Sequence, residues 1–206
     1  MHENRLTDCI ALWYDIHVGR PIRADLFLLG GITVNETLKT LKERRSCRKY
    51  LEKQVEADAL DMILEAGTYA PTVMNRQAPV IVAVQTKEVR DQIAKMNAAV
   101  MGVDSDPFYG APTVLVVLAD PAVRTYLHDG ALVMGNLMNA AHAVGVDSCY
   151  IFRAKEVFET DEGKALLRKW GIPDHFAGIG NCILGYRAEG GVKEAAPRKA
   201  NYIVKV

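Results

Sequence analysis

Residues 44–48 of the chain read Arg-Arg-Ser-Cys-Arg and are followed by Lys49 and Tyr50. The whole chain has 25 Lys and Arg against 25 Asp and Glu, so this cluster is local and no general polyanion-binding field surrounds it. A guanidinium matches a phosphate with two parallel hydrogen bonds, and Ser46 adds a hydroxyl donor. Two interpretations stand: a phosphate site, or a solvated basic helix end favoured by the helix dipole.

The bulk composition narrows the class of protein. With 206 residues, 50% of them hydrophobic and 24% charged, the chain suits one globular domain with a real core. We find no run near the roughly 18 apolar residues that a membrane span requires. Neutral overall charge with one basic cluster also argues against nucleic-acid binding.

The four cysteines are scattered along the chain, with no CxxC pair and no Cys/His cluster at zinc spacing. They are Cys9, Cys47, Cys149 and Cys182. This pattern predicts neither a disulfide framework nor a metal site, and it fits a reducing cytoplasm. Cys47 has a further interpretation as a redox-sensitive thiol whose pKa is lowered by its basic neighbours, against a plain small residue in a tight turn.

Residues 1–33 differ from the rest of the chain, because they lack clear periodicity and do not form a secretory signal. One hypothesis is that translation starts at Val34. The rival hypothesis is a genuine amino-terminal arm that packs on a partner subunit. Residues 34–206 are predicted to form a single domain.

Hydrophobic periodicity predicts five helices and four strands after Asn35, which is a plausible helix cap. The strand over 113–119 lacks polar alternation, as does the one over 79–85, so we expect helices on both faces of each. The helices are predicted over 36–44, 56–69, 87–100, 130–144 and 161–170, and the strands over 79–85, 113–119, 145–151 and 178–186.

The helix over 130–144 is unusual because its apolar residues leave no wholly polar face. A thin polar stripe at a spacing of three, made by Asn136, Asn139 and His142, must find partners inside. Either a subunit interface or a central core helix of a monomer explains this pattern. On the first alternative, the substitution Leu137→Asp is expected to separate the subunits.

The segment over residues 71–79 joins a predicted helix to a buried strand and is rich in hydrogen-bonding side chains. Thr72, Asn75 and Gln77 together offer partners for a ring carbonyl and a ring N–H, as a pyrimidine edge requires. A helix stop followed by a satisfied turn is the plainer alternative.

These motifs occur in a specific order: Arg-Arg-Ser-x-Arg-x-Tyr, Ala-Pro-Thr-x-x-Asn-Arg-Gln-x-Pro, an Ala-Pro strand opener, and Gly-Asn-Leu-Met-Asn-Ala-Ala-His in an apolar helix. From about Glu36 to the end, this order resembles the FMN-dependent nitroreductase family. The resemblance implies an α+β sandwich with a central, mainly antiparallel sheet flanked by helices. It also implies a homodimer formed through long helices, with two FMN molecules bound between the subunits.

The resemblance implies roles for particular residues. Arg44, Ser46 and Arg48 match those that hold the flavin phosphate and ribityl chain, with Arg45 a further candidate. The loop from Pro71 to Gln77, with Thr72 and Asn75, matches one that approaches the flavin ring, in part from the neighbouring subunit. Cys149, Tyr150 and Ile151 match a strand end whose backbone faces the ring, and Arg198 matches an arginine that returns to the phosphate.

The activity implied is reduction of nitroaromatics or quinones by NADH or NADPH in a ping-pong scheme, with FMN carrying the chemistry and no catalytic side chain or metal. One alternative is a flavin-binding sensor or store without turnover. Another is a relative that acts on activated C=C bonds or halogenated aromatics. Phe108 and Tyr109 are candidates to line the acceptor pocket, although a core position explains them equally well.

The chain departs from the family pattern at three points. Val80 stands where many relatives have an aromatic residue, and Ala196 stands where a second basic residue is expected near Arg198. Phe152 and Arg153 replace a Glu-Gly pair found after the third strand of larger members. Substrate preference is therefore the property that the resemblance predicts least.

Overall fold

The computed structural model describes residues 35–206. The chain divides into two units, residues 1–39 and residues 40–206. The predicted amino-terminal arm over 1–33 and the proposed start at Val34 lie outside the described residues. The single domain over 34–206 stays a prediction.

Most predicted elements form within a few residues of their expected bounds. Asn35 caps the first helix as predicted, because its Oδ1 accepts the N–H of Leu38 at 3.0 Å. The described helices are α1 (Glu36–Glu43), α2 (Ala57–Thr68), α3 (Lys87–Met101), α4 (Tyr126–Ala143), α5 (Ala154–Glu159) and α6 (Asp161–Lys169), and the strands are β1 (Val80–Val84), β2 (Thr113–Ala119), β3 (Asp147–Ile151) and β4 (Ala177–Gly185).

The four strands form one sheet in the order β1-β2-β4-β3, and every pair of neighbours is antiparallel. Cys182 of β4 lies opposite Leu115 on one side and Tyr150 on the other, which fixes the register at the centre. A β-bulge interrupts the β2–β4 pair between Val117 and Leu118. The predicted α+β architecture with a mainly antiparallel sheet is confirmed.

Burial follows position in the sheet. All seven residues of β2 are buried, because that strand has a neighbour on each edge and helices on each face. β1 lies at the edge of the sheet, where Ile81 and Val82 are only partly buried and Ala83 is exposed. Val82 packs on one apolar cluster and Ile81 on the other, so helices lie on both faces of β1 as expected, and its edge position accounts for the remaining exposure.

Two apolar clusters cover the two faces of the sheet. Side chains of α2 and α4 pack on one face around Leu115 and Val117. Side chains of α3, α5 and α6 pack on the other face around Val114 and Val116. This three-layer arrangement matches the sandwich that the resemblance implies.

Helix α4 begins one turn earlier than predicted, and it is not buried all round. Leu127 and Leu132 are 49% and 47% exposed, whereas Leu137 is fully buried in its own chain. Asn136, in the polar stripe, finds a partner at the Ala66 carbonyl 3.0 Å away. The helix therefore has a core face against α2 and an apolar face that this chain leaves exposed.

Helix α5 is an element that the periodicity missed. It has only six residues, and it follows Arg153, whose φ of 75° lies in the left-handed region. A non-glycine residue in that conformation carries no sequence signal for a turn, and six residues are too few to show a helical period. Val157 and Phe158 nevertheless fix the helix by full burial in the core.

Candidate functional site

Arg44 completes the end of α1, since its N–H donates to the Thr40 carbonyl at 3.0 Å, and the backbone that follows is bonded on both sides. Cys47 donates its N–H to the Ser148 carbonyl at 3.0 Å, and Arg48 donates its own to the Gly191 carbonyl at 2.8 Å. Ser46 also forms an isolated parallel bridge with Ser148. The segment is thus held between β3 and the chain near Gly191, so that its side chains project from a fixed backbone.

Cys47 is the fully buried residue of this segment. Its Sγ donates to the Lys49 carbonyl at 3.1 Å. Burial raises the pKa of the Cys47 thiol, with Asp147 acting in the same direction and the hydrogen bond from Cys47 to Lys49 opposing it. The hypothesis of a lowered pKa is therefore wrong, and Cys47 acts as a small buried residue.

The first two arginines of the segment have different environments. Nη1 of Arg44 is buried without a hydrogen-bond partner in the described residues, and so is Oγ of Ser148. Arg45 instead donates Nη1 to the carbonyls of Lys42 at 2.5 Å and Arg44 at 2.7 Å. Arg45 therefore satisfies the end of α1, while Arg44 keeps unused hydrogen-bonding capacity.

The third arginine opens onto a cleft of about 310 Å³. Arg48 lines this cleft together with the end of β3, including Tyr150 and Ile151, and with Tyr109 and residues 152–153. The fold thus brings Arg48, Tyr150 and Ile151 into one site, as the resemblance implies. Phe108, the other aromatic candidate for the acceptor pocket, is instead fully buried in the core.

The Tyr150 side chain lies over Gly180 of β4 and packs against the apolar cluster of α2 and α4. Its Oη donates to the Ile179 carbonyl at 2.8 Å, and burial raises the pKa of the phenol. Gly180 makes room for the ring, because a Cβ at that position would lie 2.6 Å from it. Tyr150 is therefore anchored, and the strand end beside it is held in place.

The loop from Pro71 to Gln77 forms a separate, tightly folded unit. A short 3₁₀ turn spans Val73–Asn75, and Oγ1 of Thr72 accepts the Gln77 N–H at 3.0 Å. Gln77 Nε2 donates to Asn75 Oδ1 at 3.2 Å, which leaves Asn75 Nδ2 as a donor and Gln77 Oε1 as an acceptor. Thr72 Oγ1 and Asn75 Oδ1 are thus bonded within the loop, and the recognition edge expected from the sequence stays a prediction.

Positive φ marks both parts of the candidate site. Among the described residues, the non-glycine residues with positive φ lie either in this loop or on the cleft. Such conformations cost free energy and persist where surrounding contacts enforce them, often at functional sites. They are Met74, Asn75 and Gln77 in the loop, and Tyr109 and Arg153 on the cleft.

Asp129 fixes the loop and was missed from the sequence. Its buried carboxylate accepts the Val73 N–H at 3.4 Å from either oxygen, and it accepts the Thr125 hydroxyl at 3.1 Å. Because the helix was predicted to begin at Gly130, Asp129 fell just outside it. A single acidic residue at the start of an apolar helix was the available signal.

Replacing Asp129 with alanine is expected to loosen the loop. The Val73 N–H would lose its acceptor, at a cost of about 1–3 kcal/mol if it remained buried. Trypsin should then cleave after the exposed Arg76 several times faster than in the unchanged protein. Asp61→Ala, a change at an exposed position of α2, is the matched control, and equal cleavage rates in both variants would contradict the assigned role.

Arg198 and the loop are not joined to residues 44–48 in this chain. Arg198 donates Nε and Nη2 to the Ala196 carbonyl, at 3.2 and 2.5 Å, and residues 193–206 are exposed. The loop's hydrogen bonds run within itself and to Asp129. Of the predicted site residues, the structure brings together the arginine segment and the end of β3, and it leaves the loop and Arg198 apart from them.

The described residues show neither a metal site nor a membrane-spanning helix. In residues 35–206 we find no group of three or more His, Cys, Asp or Glu side chains arranged to hold a metal ion. Over the same residues, every helix is too short or too polar to cross a bilayer.

Comparison with known proteins gives a consistent result. Residues 41–186 match the model of the nitroreductase family. The chain is similar to a nitroreductase with bound FMN from Bacteroides fragilis, at 32% identity and a TM-score of 0.78, covering 84% of this chain and 100% of that one. It is also similar to an FMN-bound nitroreductase from Desulfitobacterium hafniense, at 26% identity and a TM-score of 0.76 over 84% and 100% of the two chains.

Similarity extends to proteins named for their electron donor. A Methanothermobacter thermautotrophicus protein, provisionally named NADH dehydrogenase/NAD(P)H nitroreductase, is 24% identical over 86% of this chain and 89% of its own length. A Bacillus subtilis FMN reductase [NAD(P)H] is 33% identical over a shorter stretch, 37% of this chain and 30% of its own length.

Proposed function

The chain belongs to the nitroreductase family, and from that membership we propose that it is an FMN-dependent oxidoreductase that uses NADH or NADPH to reduce a small aromatic acceptor. The observation that carries this proposal is the cleft in which Arg48 lies beside the end of β3, next to the fixed arginine segment. Nitroaromatics and quinones are the acceptor classes we assign, and the scheme is ping-pong.

The described residues fit a phosphomonoester. Within residues 35–206, neither Arg44 nor Arg48 has a carboxylate within 4.0 Å, so their charges are available to an anion. Within the segment, Nη1 of Arg44 is buried and has no hydrogen-bond partner among the described residues, so it is an unsatisfied donor. We assign Arg44 and Arg48 to the FMN phosphate and Ser46 to the phosphate or ribityl chain. Arg45 has a smaller part, because its Nη1 already bonds to backbone carbonyls.

The ring is assigned to the wall formed by β3 and to the loop. Tyr150 and Ile151 line the cleft at a strand end that is anchored by the Tyr150 hydroxyl. The loop supplies the pairing edge of Thr72, Asn75 and Gln77, with Pro71 setting its start. Since the loop does not bond to residues 44–48 of its own chain, we assign it, and Arg198, to the site of a second copy.

FMN, when bound, would supply the redox chemistry that links NADH or NADPH to the acceptor. The protein's own residues bind and orient the reactants. Backbone N–H groups held rigidly at the strand end stabilise developing negative charge better than mobile water. Tyr109 is 42% exposed and lines the cleft, where its ring is placed to contact a flat aromatic acceptor.

A homodimer completes this proposal. The exposed apolar residues of α4, Leu127 and Leu132, form a helix face that a second copy would cover. We also place the protein in the cytoplasm, since its buried cysteines Cys47, Cys149 and Cys182 are free thiols, which suits a reducing compartment.

Two measurements on the purified protein test the function. The absorption spectrum should show bound FMN, and anaerobic stopped-flow mixing with NADH or NADPH should bleach it, with colour returning on addition of a nitroaromatic or a quinone. Protein that takes up no FMN would overturn the cofactor assignment. Bound FMN that neither nucleotide reduces would overturn the enzymatic role and leave a flavin-binding protein.

A further inference from the structure

Arg153 places a second positive charge on the cleft, and the proposed function gives it no role. It lines the cleft with Arg48, and its residue is half-buried. It occupies the turn between β3 and α5 with a φ of 75°, where glycine would fit without strain. A long charged residue is therefore held at a position where the backbone favours the smallest one.

Asn97 of α3 fixes the direction of this arginine. Asn97 is fully buried, and its Nδ2 donates to the Phe152 carbonyl at 2.9 Å. Its Oδ1 accepts Nε of Arg153 at 3.1 Å. One buried amide thus holds both the turn and the base of the guanidinium, and among residues 35–206 the two terminal nitrogens of Arg153 have no hydrogen-bond partner.

The charges around the cleft do not neutralise Arg153. Asp106 also lines the cleft, but its Oδ2 accepts Nη2 of Arg90 at 2.6 Å. The same carboxylate accepts the N–H groups of Phe108 at 2.8 Å and Gly110 at 2.9 Å. Within residues 35–206, no carboxylate lies within 4.0 Å of Arg153.

We propose that Arg153 forms an anion subsite on the cleft, which recognises a carboxylate or phosphate carried by the substrate. The inference rests on the proposed function, in which the FMN phosphate takes up the charges of Arg44 and Arg48. Arg153 then remains as the uncompensated cation beside the bound reactants. Its guanidinium is preorganised by Asn97, so less conformational entropy is lost when it pairs with an anion.

Matched pairs of substrates isolate this charge. The acceptors are 4-nitrobenzoate and 4-nitrobenzamide, which differ in one negative charge, and the donors are NADPH and NADH, which differ in a 2′-phosphate. In Arg153→Gln the kcat/KM ratio of charged to neutral partner should fall about tenfold for at least one pair, because a charge-assisted hydrogen bond is lost. Arg153→Lys, which keeps the charge at the same backbone position, should hold that ratio within about threefold.

The two arms distinguish the source of the anion. A fall confined to the acceptor pair identifies a carboxylate-bearing acceptor, and a fall confined to the donor pair identifies the nucleotide phosphate. Unchanged ratios for both pairs in Arg153→Gln would overturn the subsite. Loss of FMN from Arg153→Gln would also overturn it, because Arg153 would then belong to the cofactor site.

An equilibrium measurement keeps the inference separate from turnover. Calorimetric titration of the FMN-loaded protein with benzoate and benzamide should give an affinity ratio that falls about tenfold in Arg153→Gln if the acceptor carboxylate is recognised. If the unchanged protein held FMN but reduced no acceptor, the proposed function would fail, while this titration and a parallel one with NADP⁺ and NAD⁺ would still decide the subsite. No charge preference in either titration would overturn it.

Discussion

The double variant Arg44→Ala, Arg48→Ala is expected to purify without FMN. The backbone N–H of Arg44 is bonded to the Thr40 carbonyl and that of Arg48 to the Gly191 carbonyl. Neither guanidinium has a carboxylate within 4.0 Å in the described residues. A hydrogen bond between charged partners contributes about 1.5–3 kcal/mol. Losing two of them should raise the Kd for FMN by about two to four orders of magnitude.

The measurement is FMN content after purification, followed by fluorescence titration of added FMN. Arg124→Ala, Arg168→Ala is the matched control, because it removes the same charge from exposed positions outside the cleft. Far-UV circular dichroism should stay unchanged in both variants, since the segment's backbone bonds do not depend on the two side chains. Full FMN content in the first variant would contradict the phosphate assignment.

The elements that the sequence predicted best are those whose burial is uniform. The run over Thr113–Ala119 formed a strand with the predicted bounds, because a central strand covered on both faces needs apolar residues at every position. β1 has a similar sequence but lies at the edge, where only Val84 is buried. The residues of a strand show that it is apolar, but they do not show whether it lies at the centre or at the edge of the sheet, because that depends on which other strands pair with it.

The parts that could not be predicted depend on contacts between distant residues. Arg153 adopts a left-handed conformation because Asn97, 56 positions earlier, holds it and its neighbour Phe152. Asp129 holds Val73 across a similar span of the chain. Neither pairing leaves a local pattern, so the sequence of the chain does not reveal it.

Only part of the candidate site could be predicted, because it too depends on contacts between distant residues. Arg48, Tyr150 and Ile151 share one cleft, as the resemblance implied. The loop and Arg198 were named from motifs alone, and their hydrogen bonds in this chain run within the loop, to Asp129, and from Arg198 to Ala196. Their assignment to a second copy stays a prediction, and the dimer it requires can be tested through α4.

Helix α4 offers two leucines with opposite environments. Leu137 was expected at the subunit interface, but it is fully buried in its own chain and packs against Gly67 of α2. Leu137 therefore fits the alternative of a core position, and a charge there is expected to act on folding rather than at an interface. Leu132, 47% exposed on the other side of the helix, is the position at which a charge should act on the dimer.

Leu132→Asp is expected to give a folded monomer without bound FMN, because a desolvated carboxylate at an apolar interface is strongly unfavourable and the cleft would lose the partner's loop. Leu137→Asp should instead lower the free energy of unfolding by about 5 kcal/mol or more, since it combines a lost core leucine with a buried charge. Light scattering after size-exclusion chromatography, urea unfolding and FMN content separate the two outcomes. Val100→Asp, at an exposed apolar position on α3 across the sheet, controls for surface charge. A Leu132→Asp protein that stays dimeric, or a monomer that holds one FMN per chain, would refute the shared site.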